Sequence, residues 1–168
     1  MLSFRRSHRG FTLIEMMIVI AVAGILCVFA IPSIRRIVDR TRIKTAAVSI
    51  KRQIQTAQTM ALRNNQLRCG IYFKCVANSQ SSQIFIDNNS DGKYNPTSDT
   101  KVLEQAKLPL KVSYFIPSSG GIVDSVFIFR GNRSAVKFGT IGLCNDQKDT
   151  ILIKVIASTG RARIIKTH

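Results

Sequence analysis

The sequence is poor in histidine and cysteine, and each shortage excludes a kind of chemistry. Its only two histidines, His8 and His168, lie near opposite ends of a chain of 168 residues. The sequence therefore has too few histidines to predict a histidine-based catalytic triad, a His-rich zinc site or a haem ligand set. The four cysteines show no Cys-x-x-Cys spacing, so a metal cluster is not predicted either. We find no nucleophile–base pair in the sequence and expect no enzymatic activity.

Acidic residues are also few, with 9 Asp and Glu against 25 Lys and Arg and a formal net charge of +16. Such an excess suggests an anionic partner, either nucleic acid or an acidic membrane surface. Part of it lies in the first ten residues and along 35–52, so the total charge is only indirect evidence for nucleic acid. The length supports one compact domain, and an apolar content of 45% is enough to build a core.

One long apolar run follows the short basic stretch MLSFRRSHRG at 1–10. From Phe11 to Ile31 only Thr12 and Glu15 interrupt it. As a helix the run is about 32 Å long at roughly 1.5 Å per residue, close to a hydrocarbon core of about 30 Å. The run predicts a transmembrane helix over 11–31, and the lack of an Ala-x-Ala exit argues against a cleaved secretory signal.

Glu15 is unusual, because a carboxylate inside an apolar helix costs about 2.5–3.5 kcal/mol on insertion scales and indicates a specific partner. The stretch GFTLIE at 10–15, followed by MMIVIAVAGIL, resembles the class III signal of type IV pilins and of type II secretion pseudopilins. The resemblance implies cleavage by a prepilin peptidase after Gly10 and methylation of the new amine on Phe11. It also implies that Glu15 pairs with the terminal amine of a neighbouring subunit during assembly. Stabilisation of the helix dipole by Glu15 is compatible with this role.

Beyond Pro32 apolar residues recur at spacings of three and four, which predicts an amphipathic helix over 32–64 with a kink near the proline. After 65 the period changes to two, which predicts strands. These are Arg68–Val76, Gln83–Asp87, Lys111–Ile116, Val126–Arg130, Ser134–Phe138, Ile151–Ala157 and Arg161–Lys166. The predicted class is α+β, with a long N-terminal helix packed on an antiparallel β-sheet head domain at 65–168.

Later segments resemble one branch of these proteins. The branch is the GspH/FimT family of minor pilins and pseudopilins, which three segments resemble. They are QIQTAQTMALRNNQLR at 53–68, FRG at 129–131 ahead of a GTIGL run, and ILIKVIASTGRAR at 151–163. The resemblance implies a single pass through the bacterial inner membrane with a periplasmic head. The implied partners are other pilins or pseudopilins, the prepilin peptidase and the inner-membrane assembly platform. A minor type IV pilin is the leading interpretation, and a minor pseudopilin of a type II secretion system is the alternative.

After Glu15, the most specific candidate functional site is the motif Gly160-Arg161-Ala162-Arg163. Residues two apart in a strand point the same way, so Arg161 and Arg163 would form a guanidinium face able to grip phosphate oxygens. Lys166 and Lys154 would extend this face. FimT-type minor pilins linked to natural transformation resemble this chain in carrying a C-terminal Gly-Arg-x-Arg that contacts DNA, whereas in secretion pseudopilins the same turn is structural. Few aromatics adjoin the motif, so we expect phosphate-led binding of double-stranded DNA.

The stretch DNNSDG at 87–92 resembles the opening of an EF-hand calcium loop, with oxygen-bearing side chains at positions one, three and five and glycine at six. The twelfth position is Ser98 where a bidentate Glu is wanted, and an aspartate follows it. The stretch is compatible with two interpretations, a Ca²⁺ site and an Asx-rich β-turn without a metal. We expect no other cofactor. The metal-ligand candidates are Asp87, Asn89, Asp91 and Asp99.

Of the cysteines, Cys27 lies in the apolar run and behaves as a small apolar residue. The other three would face an oxidising periplasm if the family resemblance holds, which favours a disulfide. Cys69 and Cys75 on one straight strand would be about 20 Å apart at roughly 3.3 Å per residue, too far to bridge. The predicted pairing is therefore Cys144 with either Cys69 or Cys75.

Overall fold

The computed structural model describes residues 11–63, 67–76, 79–103 and 106–167, which form one long helix and ten strands. The helix, α1, spans Leu13–Arg63, with Glu15 in its first turn and Arg63 in its last. Both charges complement the helix dipole. The chain divides into two compact units, Met1–Val38 and Asp39–His168.

In the first unit the large apolar side chains of α1 that the structure describes are exposed. No helix among the described residues meets the length and hydropathy criterion for a membrane span on its own. Two stretches of α1, Leu13–Val28 and Ser33–Arg63, meet it together across a bend between them. The bend lies between Val28 and Ser33, a stretch that includes Pro32, and a proline inside a helix generally removes a backbone hydrogen bond and bends the helix. The transmembrane helix over 11–31 stays a prediction.

In the second unit α1 presents a buried stripe, since its apolar positions recur every three or four residues and so share one face. The stripe consists of Ile43, Ala46, Ala47, Ile50, Ile54, Ala57 and Ala61. Four of these seven are alanines, whose small side chains let the helix backbone approach the strands closely. The stripe joins one core cluster with side chains from both β-sheets.

The head domain contains two sheets in which every strand pairing is antiparallel. The first has the order β3-β2-β1-β6-β7, with β4 also pairing β2, and the second has the order β10-β9-β8-β5. The strands are β1 Arg68–Val76, β2 Ser79–Asp87, β3 Thr100–Lys101, β4 Ala106–Lys107, β5 Val112–Phe115, β6 Val126–Phe129, β7 Ala135–Lys137, β8 Gly139–Asn145, β9 Thr150–Val155 and β10 Ala162–Thr167.

Both faces of the first sheet carry buried side chains. On the helix side, the ring of Phe73 packs edge-on against Tyr114 and Phe127, with ring centroids 5.3 and 5.6 Å apart. On the opposite side, Phe85 belongs to a second, smaller cluster that includes Tyr94. Because Tyr94 belongs to the loop after β2, that loop covers part of this outer face.

The predicted α+β class is confirmed, because α1 packs on antiparallel sheets as expected. β8 was missing from the predicted strands, since its run GTIGLC contains two glycines and lacks a clear alternation. In the structure a Cβ on Gly142 would overlap the Phe115 ring on the neighbouring strand β5. Phe115 therefore occupies the space above Gly142, and the glycine is needed for this strand pairing.

Candidate functional site

The start of α1 is closed by a reciprocal pair of side chains. The backbone N–H and the hydroxyl of Thr12 both donate to Oε2 of Glu15, each at 2.8 Å, and the Glu15 N–H donates to the Thr12 hydroxyl at 3.3 Å. This arrangement is a capping box, which satisfies free N–H groups at a helix start. Glu15 and Phe11 are exposed, and Gly10 lies outside the described residues. Glu15 thus presents a carboxylate at the very beginning of the helix.

The predicted arginine pair lies at the start of β10. Arg161 directly precedes the strand and Arg163 is its second residue, and both are exposed, whereas Ala162 and Ile164 pack against the core. Arg163 is paired with Lys154 of β9, which is exposed on the same face. Within the described part of the chain, none of these three cations forms a salt bridge. We call Arg161, Arg163 and Lys154 the basic face.

Lys166 was predicted to extend the basic face. Its backbone lies in β10 opposite Ile151. Its side chain lies outside the described part of the chain, so its membership of the basic face stays a prediction.

A tight turn holds the basic face in register. Gly160 has φ +61°, and a Cβ there would lie 2.6 Å from the carbonyl oxygen of Arg133, so only glycine fits without strain. From α1, the Gln58 amide donates to the carbonyl oxygens of Thr159 at 2.9 Å and Arg133 at 3.3 Å. The Ile156 N–H and the Arg161 carbonyl close the turn at 3.1 Å. Gln58 therefore anchors the turn from which the arginines emerge.

An apolar depression of about 450 Å³ adjoins the basic face, with Lys154, Arg163, Phe138 and Ile165 among its lining residues. Phe138 is 52% exposed and Ile165 is 44% exposed. Sequence reasoning missed Phe138 because it is distant from the Gly-Arg-x-Arg motif in the chain. Only the pairing of β8 with β9 brings it near, and no local sequence signal reveals that pairing. An exposed aromatic ring beside two cations offers a surface on which a base or another flat group can stack.

The four predicted calcium ligands separate into two pairs. Asp87 and Asp99 are buried at the two ends of the loop, whereas Asn89 and Asp91 are exposed and bond each other at 2.9 Å. Burial raises the pKa of Asp87, and the nearby charges of Asp91 and Asp99 raise it further, whereas the Gly92 N–H and the charge of Arg68 lower it; the net shift is upward. Among the described residues no group of three or more His, Cys, Asp or Glu side chains converges as a metal site. The arrangement predicted from the EF-hand pattern is therefore not formed by these four side chains together.

The structure contains Cys69, Cys75 and Cys144 as free thiols, so neither predicted disulfide pairing is present in it. Cys144 instead lies 3.0 Å from the hydroxyl of Ser113 on the neighbouring strand β5. Cys69 is fully buried in the first sheet, between neighbours on β2 and β6. Burial raises the pKa of the Cys69 and Cys75 thiols, which lowers the fraction of reactive thiolate.

Comparisons with known proteins connect these features to relatives. Residues 5–31 match the family described as the prokaryotic N-terminal methylation motif. The chain is 30% identical over 130 residues to the type IV major fimbrial protein FimA of Dichelobacter nodosus, covering 71% of this chain and 75% of that protein. It is 34% identical over 100 residues to a fimbrial protein of Pseudomonas aeruginosa, covering 52% of this chain and 64% of that protein.

Among solved structures, the chain is similar to the minor pseudopilin EpsH from the type 2 secretion system of Vibrio cholerae. The TM-score is 0.55 at 9% sequence identity, and the match covers 74% of this chain and 97% of EpsH. At this identity the likeness is one of fold. It places the long helix and the antiparallel head domain in an architecture that a pseudopilin also uses.

Proposed function

Because this chain belongs to the type IV pilin family, we propose that it is a minor pilin that takes part in the assembly or initiation of a pilus. The methylation motif covers residues 5–31, and the apolar first part of α1 lies within it, as a membrane-anchored pilin requires. In this proposal a prepilin peptidase cleaves after Gly10, and the amine of Phe11 is then methylated. The helix spans the inner membrane once, with the head domain in the periplasm, until the assembly platform extracts the subunit.

Assembly depends on Glu15 in this proposal. The capping box uses Oε2 of the carboxylate and leaves the whole group exposed at the helix start, where a positive group from a neighbouring subunit can reach it. Pairing with the terminal amine of that subunit offsets the cost of placing a carboxylate among apolar side chains. The partners are other major and minor pilins, whose apolar helices cover the exposed side chains of the first unit.

We further propose that the head domain binds double-stranded DNA for uptake during natural transformation. The observation that carries this proposal is the basic face, in which Arg161, Arg163 and Lys154 lie side by side, exposed and without salt bridges within the described residues. Guanidinium groups bind phosphate oxygens through paired hydrogen bonds, and phosphate contacts need no particular base sequence. Binding would therefore be tolerant of sequence and sensitive to salt.

The test measures binding of duplex DNA to the full chain in detergent as a function of salt. We expect the Arg161→Ala/Arg163→Ala variant to lose about tenfold or more in affinity, with a salt slope shallower by roughly 0.9 for each lost phosphate contact. The matched control is Lys101→Ala/Lys107→Ala, which removes the same charge from exposed positions on the first sheet. Absence of wild-type binding at low salt, or an equal loss in the control, would overturn the DNA proposal.

A minor pseudopilin of a type II secretion system is the second candidate function, since EpsH shares the fold of the head domain. The two candidate functions predict different phenotypes when the gene for this chain is deleted. Loss of pili and of transformation in the deletion strain supports the pilus assignment, whereas loss of protein export with pili intact supports the secretion assignment.

A further inference from the structure

Two buried carboxylates face each other at the base of the loop between β2 and β3. Phe85 pairs with Lys101 and Ile86 with Thr100, so the next opposed positions in this register are Asp87 and Asp99. Directly opposed residues of an antiparallel ladder project to the same face with Cβ atoms about 4.5–5.5 Å apart. The paired residues themselves end at Ile86 and Thr100, and the register is extended here by one residue. The negative charge of Asp99 raises the pKa of Asp87, which is the effect that a neighbouring carboxyl group has.

Each carboxylate uses one oxygen and leaves the other without a partner. Asp87 is 1% exposed and Asp99 is 7% exposed. Oδ2 of Asp87 accepts the Gly92 N–H at 3.1 Å, and Oδ2 of Asp99 accepts the Asn95 N–H at 2.7 Å. Oδ1 of both residues is buried and has no hydrogen-bond partner among the described residues. Buried polar atoms are rarely left unpaired, and two acceptors cannot satisfy each other without a cation or a proton.

No cationic side chain of the described residues fills this gap. Arg68 lies opposite Asp87 on β1, but its guanidinium donates to the Ser90 carbonyl at 2.9 Å and forms no salt bridge with either aspartate. Lys137 is bound to Asp124 at 2.6 Å. The negative charge of the two carboxylates is thus left without a bonded counter-charge from the chain.

The loop is held in place over the two carboxylates. The ring of Tyr94 stacks on Tyr72 at 4.9 Å and packs against Phe85 at 5.0 Å, which fixes the middle of the loop to the outer face of the first sheet. At the neck, the Asn88 amide donates to the Ser98 carbonyl at 2.9 Å and to the Thr100 hydroxyl at 3.0 Å. The packing therefore preorganises the aspartates before any ligand arrives.

We propose that Oδ1 of Asp87 and Oδ1 of Asp99 bind a Ca²⁺ ion. Calcium takes six to eight oxygen ligands in flexible geometry, so loop carbonyls and water can complete the shell around two carboxylates. Asn89 and Asp91 are not ligands in this site, because they bond each other at the surface. With only two carboxylates, the affinity should be that of extracellular calcium modules, with Kd of about 10⁻⁴–10⁻³ M.

The first test is tyrosine-sensitised Tb³⁺ luminescence of the chelator-treated full chain in detergent. The chain has no tryptophan, and Tyr94 in the loop is a nearby sensitiser. We expect sensitised emission that Ca²⁺ displaces, and its loss in Asp87→Asn and in Asp99→Asn. Asp91→Asn removes an equal charge from the exposed part of the loop and should keep the emission.

The second test measures thermal unfolding, which also shows whether each variant folds. Ca²⁺ should raise the Tm of the wild type and of Asp91→Asn, and leave the Tm of the Asp87→Asn/Asp99→Asn variant unchanged. In the absence of Ca²⁺, that double variant should melt above the wild type, because it lacks the buried unpaired charge. A wild-type Tm that Ca²⁺ does not move would overturn the proposal and indicate a proton shared between the carboxyls. A Ca²⁺ shift that persists in the double variant would overturn it as well.

Discussion

Ile25 and Ile54 lie on the same helix, yet Ile25 is 63% exposed and Ile54 is fully buried. The same contrast holds along α1: the large apolar side chains described in the first unit are exposed, whereas the stripe of the second unit is covered by the two sheets. Both side chains are isoleucines, so the residue type does not explain the difference. What differs is the covering partner: the head domain supplies it for Ile54, whereas no described part of the chain covers Ile25.

The contrast shows that apolar side chains of α1 serve two purposes, the folding of the head domain and contact with other molecules. In the head its apolar stripe stabilises the fold of this chain, and burial of a Leu or Ile side chain contributes about 1.5–3 kcal/mol. In the first unit the apolar side chains form an exposed surface of the kind that marks interaction with lipid or protein. In the proposed function, lipid covers this surface first and neighbouring pilin helices cover it after assembly.

The largest expected effect is on the buried stripe. Ile54→Ala should destabilise the head by about 2–5 kcal/mol, because Ile54 is fully buried in the core and its truncation leaves a cavity there. Ile25→Ala, the matched change in the exposed stretch, should alter head stability by less than about 0.5 kcal/mol. Urea unfolding of the full chain in detergent measures both. Equal destabilisation by the two changes would show that the contrast between the two stretches is wrong.

Substitution of one glycine in each unit tests the same contrast, with a smaller expected change in head stability. Gly160→Ala should cost about 1–3 kcal/mol of head stability through its left-handed backbone, in addition to its clash with the Arg133 carbonyl. A Cβ on Gly24, in the first unit, meets nothing within 4 Å. Gly24→Ala should therefore leave head unfolding unchanged, since alanine is also the better helix former. A Gly160→Ala head as stable as the wild type would contradict the close packing of this turn.

The smallest of these effects concerns the link between the buried stretch and the basic face. Gln58→Ala removes the amide that donates to the Thr159 and Arg133 carbonyls and should cost about 1 kcal/mol. If Gln58 positions the turn, the variant should also weaken DNA binding while the Lys101→Ala/Lys107→Ala control does not. Thermal unfolding measures the loss of stability, and DNA titration measures the loss of affinity. An unchanged Tm together with an unchanged DNA affinity would show that Gln58 does not position the turn.

Sequence patterns predicted the helix stripe and the fold class well, because those patterns are local. The three-and-four spacing from Ala47 through Ile50, Ile54 and Ala57 to Ala61 marks the face that the sheets cover. The alternation at Arg161 and Arg163 predicts a shared face. β8 was missed because its glycines are explained only by the Phe115 ring on another strand.

The parts of the sites that sequence did not predict depend on long-range pairing. Phe138 approaches Arg163 through strand pairing in the second sheet, and Gln58 reaches the turn from α1. Asp87 and Asp99 were both candidates in the sequence. Their opposition across the ladder, and the separation of Asn89 and Asp91 from them, follow from the register of β2 with β3. An EF-hand pattern counts positions along one loop and does not contain that register.

The proposal that the exposed stretch of α1 is an assembly surface is tested most directly by separating the charge of Glu15 from its capping role. Glu15→Gln keeps an acceptor for Thr12 in the capping box but removes the charge, whereas Thr12→Ala weakens the cap and keeps the charge. Each variant replaces the wild type in the host, and its co-purification with the other pilins of the sheared filaments is measured. We predict that Glu15→Gln is lost from the filaments while Thr12→Ala is retained, with head stability unchanged in both. Retention of Glu15→Gln at the wild-type level would contradict the assembly role.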